Sequence, residues 1–278
     1  MITILDGPMG TALAARGVET PPPAWSAWAN ARAPEVVAEI HAAYARAGAT
    51  VHTANTFRTK RRQTGDAWER LARAAVAIAR GAVPAGHRVA GSVAPLEDCY
   101  RPDLAPRGDV ARAEHGALSR VLVDAGVDLI LCETFPSPRE ARVAVDAAAR
   151  TGVETWVALT AGPDADLMTP AAMAEAARAC VEHGARAVLV DCTPPDATLA
   201  YVEAIARAGV PFGAYANAGR TDRWSEASVD EYVQHARMWV EVGATIVGSC
   251  CGTDARYIAE IHRQFLGEET SLVPRSTM

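Results

Sequence analysis

Three of the six cysteines stand where apolar runs end: Cys192 in ARAVLVDCT, and the adjacent pair Cys250-Cys251 in ATIVGSCCG. Adjacent cysteines can form a strained disulfide, pack as two small hydrophobes, or ligate a metal. If both runs are strands ending on one face, Cys192 joins the pair. Three thiolates with one exchangeable position make an open tetrahedral site, and thiolate sulfur selects Zn²⁺ over magnesium or calcium, which take oxygen ligands. The spacing is not that of a zinc finger, so packing of three buried thiols stays open as the alternative. Cys180, within MAEAARACVEHG, reads as helix packing, and nothing near Cys99 suggests ligation. Cys132 and Glu133 are neighbours on one run, so alternation turns one inward and the other outward; Glu133 is the better functional member.

The same reading extends to the ends of the other apolar runs, which carry Asp6, Asn55, Ser92, Glu133, Thr160 and Asn217. A polar residue closes run after run that is otherwise Val-, Ile- and Leu-rich. What positions them is a repeated unit of an Ala-rich helical stretch, a glycine and a short β-rich run. Gly48, Gly126, Gly152, Gly184, Gly209 and Gly243 supply the turns, with Gly86 in a looser version. With ITILDGPMG at the start, the runs number eight and lack polar alternation, as strands covered on both faces should. Ser137-Pro138-Arg139-Glu140 and Ser228-Val229-Asp230-Glu231 read as capping boxes, and Thr169-Pro170 as a cap before a first-turn proline. The expected fold is α/β, a single (β/α)8 TIM barrel over residues 1–267, with chemistry at the C-terminal strand ends. Residues 268–278 read as a polar tail, disordered or, through LVPRS, a protease-site remnant added for expression.

Composition narrows the function classes. The chain has 278 residues, half of them hydrophobic, with 27 basic and 33 acidic side chains for a net charge of −6. No basic run exists to neutralise phosphates, which argues against a nucleic-acid partner. No apolar stretch approaches the ~20 residues of a membrane span, and acidic Asp6 stands where a signal peptide would be basic. The expectation is a cytoplasmic protein whose cysteines are thiols or metal ligands. No dinucleotide fingerprint or phosphate-binding glycine loop is present.

The motifs LDGPMGT, ANTF, GSVAP, CETF, DCT, YANAG and GSCCGT, in this order from about Leu5 to Phe265, resemble those of the homocysteine S-methyltransferase family. PAWSAWANARAPEVVAEIHAAYARAGA is similar to the corresponding segment of the single-domain members that use S-methylmethionine. The resemblance implies a zinc barrel in which Cys192, Cys250 and Cys251 are the ligands. It implies that Asp6 and Glu133 receive the amino-acid head of homocysteine, with Asn217 a polar neighbour of the metal. Asn55 and Thr56 are expected to organise the second loop and line the pocket. For Trp25, an aromatic face offered to a sulfonium donor and packing beneath the PPPAW loop stand as equal readings, whereas Trp28 is expected to pack, and His41 and His52 receive no metal role. The chain departs from the family pattern at Asp191, which replaces an asparagine and adds a potential charge beside the metal, and at Ala94, Ala216 and Ala255-Arg256-Tyr257. The implied partners are a small-molecule thiol and an onium methyl donor, S-methylmethionine or S-adenosylmethionine. The oligomeric state is not implied. Methyl transfer to another small thiol or selenol, or thiol binding without turnover, are the alternative readings.

Overall fold

The computed structural model describes residues 2–219 and 227–267. Its core is one parallel sheet of β1 (Thr3–Ile4), β2 (Val51–Ala54), β3 (Arg88–Val93), β4 (Leu129–Phe135), β5 (Glu154–Leu159), β6 (Ala187–Asp191), β7 (Phe212–Tyr215) and β8 (Ile246–Val247). Each of β2 to β8 pairs with its sequence neighbour, and β1 pairs with β8. The ring closes between β1 and β2 through a Leu5–Val51 bridge, with the Thr50 amide donating to Ile4 O at 2.9 Å and the Asp6 amide to Val51 O at 3.0 Å. All eight expected runs are strands, and the (β/α)8 barrel is what they build.

The surrounding helices are α1 (Met9–Ala14), α2 (Ala29–Arg32), α3 (Pro34–Arg46), α4 (Arg61–Thr64), α5 (Trp68–Ala82), α6 (Gly108–Asp124), α7 (Pro138–Ala149), α8 (Pro170–Glu182), α9 (Pro195–Ile205), α10 (Val229–Glu241) and α11 (Ala255–Leu266). Strand alternation divides the core in two. Leu129, Leu131, Trp156, Ala158, Ala187, Leu189 and Ile246 fill the barrel interior, while Ile130, Cys132, Val157, Val188, Val190 and Val247 pack outward under the helices. Cys132 thus faces outward into the helix layer, where Cys180 of α8 is buried as well. Two glycines make the β7–β8–β1 closure possible. A Cβ on Gly213 would lie 1.7 Å from the Ile246 carbonyl oxygen, and one on Gly248 would lie 2.6 Å from Leu5 Cβ.

The caps agree with the sequence at two of three places. Ser228 and Glu231 form the reciprocal capping box of α10, and Thr169 Oγ1 accepts from the Ala172 amide at the start of α8. Ser137 caps α7 by accepting from the Glu140 amide, but Glu140 does not return the bond. Its buried carboxylate accepts instead from the Leu96 amide (2.9 Å) and pairs with His115 Nε2 (3.2 Å). Burial opposes ionisation of Glu140, yet these bonds outweigh it and hold the carboxyl below its usual range. The box residue has been diverted to clamp the loop after β3. The tail expected over 268–278 lies outside the described residues. Among the described residues, no helix is long and apolar enough to cross a membrane.

Candidate active site and metal centre

The C-terminal ends of the strands surround a cavity of about 150 Å³, lined by Asp6, Trp25, Asn55, Glu133, Cys192, Cys250 and Cys251 among others. Cys192 arrives from the end of β6 and the cysteine pair from beyond β8. Alternation along β6 places Leu189 inward and would send Cys192 outward. The backbone corrects this: Cys192 adopts φ 45°, in the left-handed region, and its side chain joins the interior. Thr134 does the same near the end of β4, where the register shifts, with φ 61°. Left-handed non-glycine residues cost on the order of 1–3 kcal/mol and cluster where side chains must be aimed. At the other end of the pair, Gly252 takes the left-handed turn with φ 83°.

The three sulfurs lie within 4.8 Å of one another. Cys192 Sγ and Cys250 Sγ are 2.6 Å apart, and Cys250 Sγ and Cys251 Sγ 4.0 Å. The closer pair is beyond the ~2.05 Å of a disulfide, and all six cysteines are free. Hydrogen bonds from Cys192 and Cys250 push the Cys251 thiol well below its ordinary range, and Cys192 is pushed up first by its bond with Cys250. Cys250 is pulled down by its bond with Cys192, but its bond with Cys251 and burial outweigh that and leave it raised. One proton-poor sulfur held by two others is a donor set awaiting a cation. Ligands of a tetrahedral ion with ~2.3 Å metal–sulfur bonds stand about 3.8 Å apart, so small side-chain rotations suffice. These residues fit a thiophilic metal.

Two carboxyl groups share the cavity. Glu133 is inward-facing and buried; Ser92 Oγ donates a short bond to Oε1, and Tyr215 OH donates to Oε2 at 3.2 Å. Burial raises its pKa to about 7, against the pull of those two donors. Asp6 Oδ2 accepts from the Thr53 amide at 2.8 Å, and its pKa is raised first by burial, with the charge of Glu133 adding to the rise. An ammonium between the two would restore both to their ionised forms.

The remaining expected residues divide. Trp25 lines the cavity and is 38% exposed, but the Arg58 guanidinium already lies 4.2 Å from its ring centroid. Asn55 reaches the cavity with its amide fully engaged: Oδ1 accepts from Ser26 Oγ (2.6 Å), and Nδ2 donates to Ser26 O (2.8 Å) and Asn30 Oδ1 (2.9 Å). It fastens the Trp25–Trp28 turn to β2 rather than offering a free polar group. Thr56 is fully buried and does not line the cavity; its hydroxyl donates to Ser92 O at 2.8 Å. Asn217 also stands outside the lining, and its side-chain amide has no partner among the described residues. Trp28 packs away from the cavity beneath Arg32. Asp191 adds less charge than its type suggests. It is fully buried, accepts from Thr134 Oγ1 at 2.6 Å, and burial pushes its pKa well up.

Sequence reasoning missed Tyr215, Tyr100, Thr53 and Ser249, all on the cavity wall. Tyr215 was within reach: it lies two residues before Asn217 at a strand end, on the inward register. Thr53 contributes a backbone amide, which no residue type announces.

Comparison with known proteins gives one consistent answer. A family model described as Homocysteine S-methyltransferase matches residues 3–265. The chain is 28% identical to Homocysteine S-methyltransferase YbgG of Bacillus subtilis, over 94% of this chain and 93% of that one. It is 26% identical to Selenocysteine methyltransferase of Astragalus bisulcatus, over 94% and 91% respectively. Among solved structures, the metallated form of the homocysteine methyltransferase MmuM from Escherichia coli superposes with a TM-score of 0.79 at 25% identity, covering 95% of this chain and 96% of that one.

Proposed function

Because the chain belongs to the homocysteine S-methyltransferase family, we propose that it methylates homocysteine to methionine, using S-methylmethionine or S-adenosylmethionine as donor and Zn²⁺ held by Cys192, Cys250 and Cys251. The observation that carries this reading is the convergence of three free thiols, from two strand ends, on a small cavity that also holds two buried carboxyls. A free thiol, with a pKa of ~8.5, is mostly protonated at neutral pH; the bound zinc would hold the acceptor sulfur as the thiolate at the open fourth position.

The chain's own residues do the rest. Asp6 and Glu133 receive the substrate ammonium, which fixes the acceptor sulfur relative to the three cysteines. Tyr215 and Ser92 hold the Glu133 carboxylate in place. The apolar wall from Leu5, Met9, Trp25 and Phe57 excludes water around the methyl group. As the acceptor sulfur attacks, a new S–C bond forms and the donor C–S⁺ bond breaks. That electron pair stays on the donor sulfur, which leaves as a neutral thioether, while the thiol proton is released to solvent. Charge is neutralised in this displacement, no base need act on the methyl group, and orientation supplies much of the rate. Six free cysteines, three of them at a metal centre, suit a reducing compartment such as the cytoplasm.

The test is turnover of zinc-loaded protein with a panel of thiols and donors, the methylated product identified by mass. Methionine formed from homocysteine with an onium donor is expected. Methylation of selenocysteine in preference to homocysteine would move the acceptor assignment toward that of the Astragalus relative, and no methylated product with any pair would refute the reading.

A further inference from the structure

A second group of ligand-type side chains lies apart from the cysteines. Asp6, His41 from α3 and His52 from β2 bring one carboxylate oxygen and two ring nitrogens within 4.8 Å of one another. All three are buried, the histidines completely. His41 Nδ1 is 4.0 Å from Asp6 Oδ2, too far for a hydrogen bond. Both His41 nitrogens have no hydrogen-bond partner among the described residues; Nδ1 of His52 has none of good geometry, and the His52 ring meets only the Ala49 backbone besides His87. Leaving a buried polar atom unmatched costs about 1–3 kcal/mol, and His41 carries two such atoms, one of them beside the buried carboxylate of Asp6. Among the described residues no Lys or Arg forms an ion pair with Asp6; His41 is its sole ion-pair neighbour.

We propose that Asp6, His41 and His52 form a second metal site, for a divalent first-row transition ion, distinct from the three-cysteine centre. Two imidazoles and a carboxylate are a donor set for zinc, iron, cobalt or nickel rather than calcium. A metal ligand must be a neutral imidazole, and burial already holds His41 at about 3 and His52 at about 4. His52 also has the support that metal-bound histidines need, since its other nitrogen, Nε2, lies 3.0 Å from His87 Nδ1 and fixes the ring. The Thr53 amide fixes Asp6 in the same way. A cation at the centre would take one nitrogen from each histidine and neutralise the carboxylate together. Asp6 belongs to the substrate cavity too, so, resting on the function proposed above, the second ion and the substrate ammonium draw on one carboxylate. Filling the site therefore raises KM for the amino-acid thiol.

Cobalt(II) titration of the full chain separates the two centres. Cobalt on thiolates gives a near-ultraviolet charge-transfer band, and cobalt on nitrogen and oxygen does not. Wild type is expected to hold two ions per chain; Cys251→Ser loses the band and keeps one ion, while His41→Leu and His52→Leu keep the band and lose one ion. The band doubles as a folding check, because its cysteines come from different strands. Wild type saturating at one ion, or binding two with both histidine variants unchanged, overturns the proposal. If a variant fails to fold, wild-type protein labelled with ¹⁵N-histidine answers by itself: the second equivalent of zinc must shift the His41 and His52 ring nitrogens, and unmoved resonances refute the site. Enzyme carrying one ion is expected to show a severalfold rise in KM for homocysteine when the second is added, and His52→Leu none. An unchanged wild-type KM would remove the shared-carboxylate link.

Discussion

Cys192 and Cys250 come from strands 58 residues apart in sequence, yet their sulfurs stand 2.6 Å from each other. Neither residue arrives by regular strand geometry. Cys192 depends on a left-handed backbone, and Cys250 follows Gly248, whose missing side chain lets β1 close against β8. Two local departures from an ideal barrel thus meet at one point. Replacing Cys192 by Ser is expected to lower zinc affinity by more than the roughly 10–100-fold that an outer partner of a metal ligand costs. Equilibrium dialysis with metal analysis measures it; undiminished affinity would show that Cys192 is not a ligand.

Asp6→Asn removes one of the two carboxylates proposed to receive the ammonium while keeping an acceptor for the Thr53 amide. Its effect belongs on substrate positioning, with KM for homocysteine rising by tenfold or so, corresponding to about 1.4 kcal/mol. A thiol acceptor lacking the amino group should be nearly indifferent to the change. Steady-state kinetics with both acceptors is the measurement. Equal losses for the two would place Asp6 in folding or metal binding instead.

Gly213 tests the barrel closure. An added methyl meets the Ile246 carbonyl oxygen at 1.7 Å, which is backbone and cannot rotate away. Gly213→Ala should therefore cost at least about 3 kcal/mol, the upper end of overpacking in cores. Gly81, in α5, has no atom within 4 Å of its would-be Cβ, and Gly81→Ala should gain about 0.5–1 kcal/mol. Urea denaturation of the two variants gives the comparison. Similar midpoints for both would contradict the close β7–β8 contact.

The barrel was legible because its signal is repeated: apolar runs of strand length fall at all eight strands, and a helical stretch and a glycine precede every one after the first. The inward side of β4 was legible too, since alternation assigns Glu133 and Cys132 to opposite faces. What the sequence hid depends on partners distant in the chain. Glu140 occupies the third position of a capping box, but His115 and the Leu96 amide, neither of them near in sequence, claim its carboxylate. Asn55 stands at a strand end like the cavity residues, yet Ser26 and Asn30 consume its amide. Asp191 reads as a charge beside the metal until its complete burial is known. His41 and His52 lie on separate elements, a helix and a strand, and no spacing joins them to Asp6. Residue type identifies who can do chemistry; tertiary placement decides whose atoms are still free.

Glu133 makes the pH behaviour of the site a direct test. Its folded pKa, raised by burial to about 7, lies above the ~4.3 of an unfolded glutamate. The folded state therefore holds a proton that the unfolded state gives up between these values, and stability contributed at low pH is lost as pH rises through about 7. The ionised form is nevertheless the one proposed to bind the substrate ammonium, so stability and binding run in opposite directions over the same interval. Two outcomes follow for Glu133→Gln, which keeps the shape and one acceptor oxygen, presents an NH2 donor in place of the other, and cannot ionise. At pH 8 it should be more stable than wild type, by on the order of 3 kcal/mol at most, with the advantage vanishing near pH 4. In wild type, KM for homocysteine should fall as pH rises from 6 to 8, and in Glu133→Gln it should be high and lose that component of the slope. Thermal melts across pH and KM profiles of zinc-loaded enzyme measure both. A variant no more stable than wild type at pH 8, with the KM slope retained, would mean that Glu133 is already ionised well below neutrality.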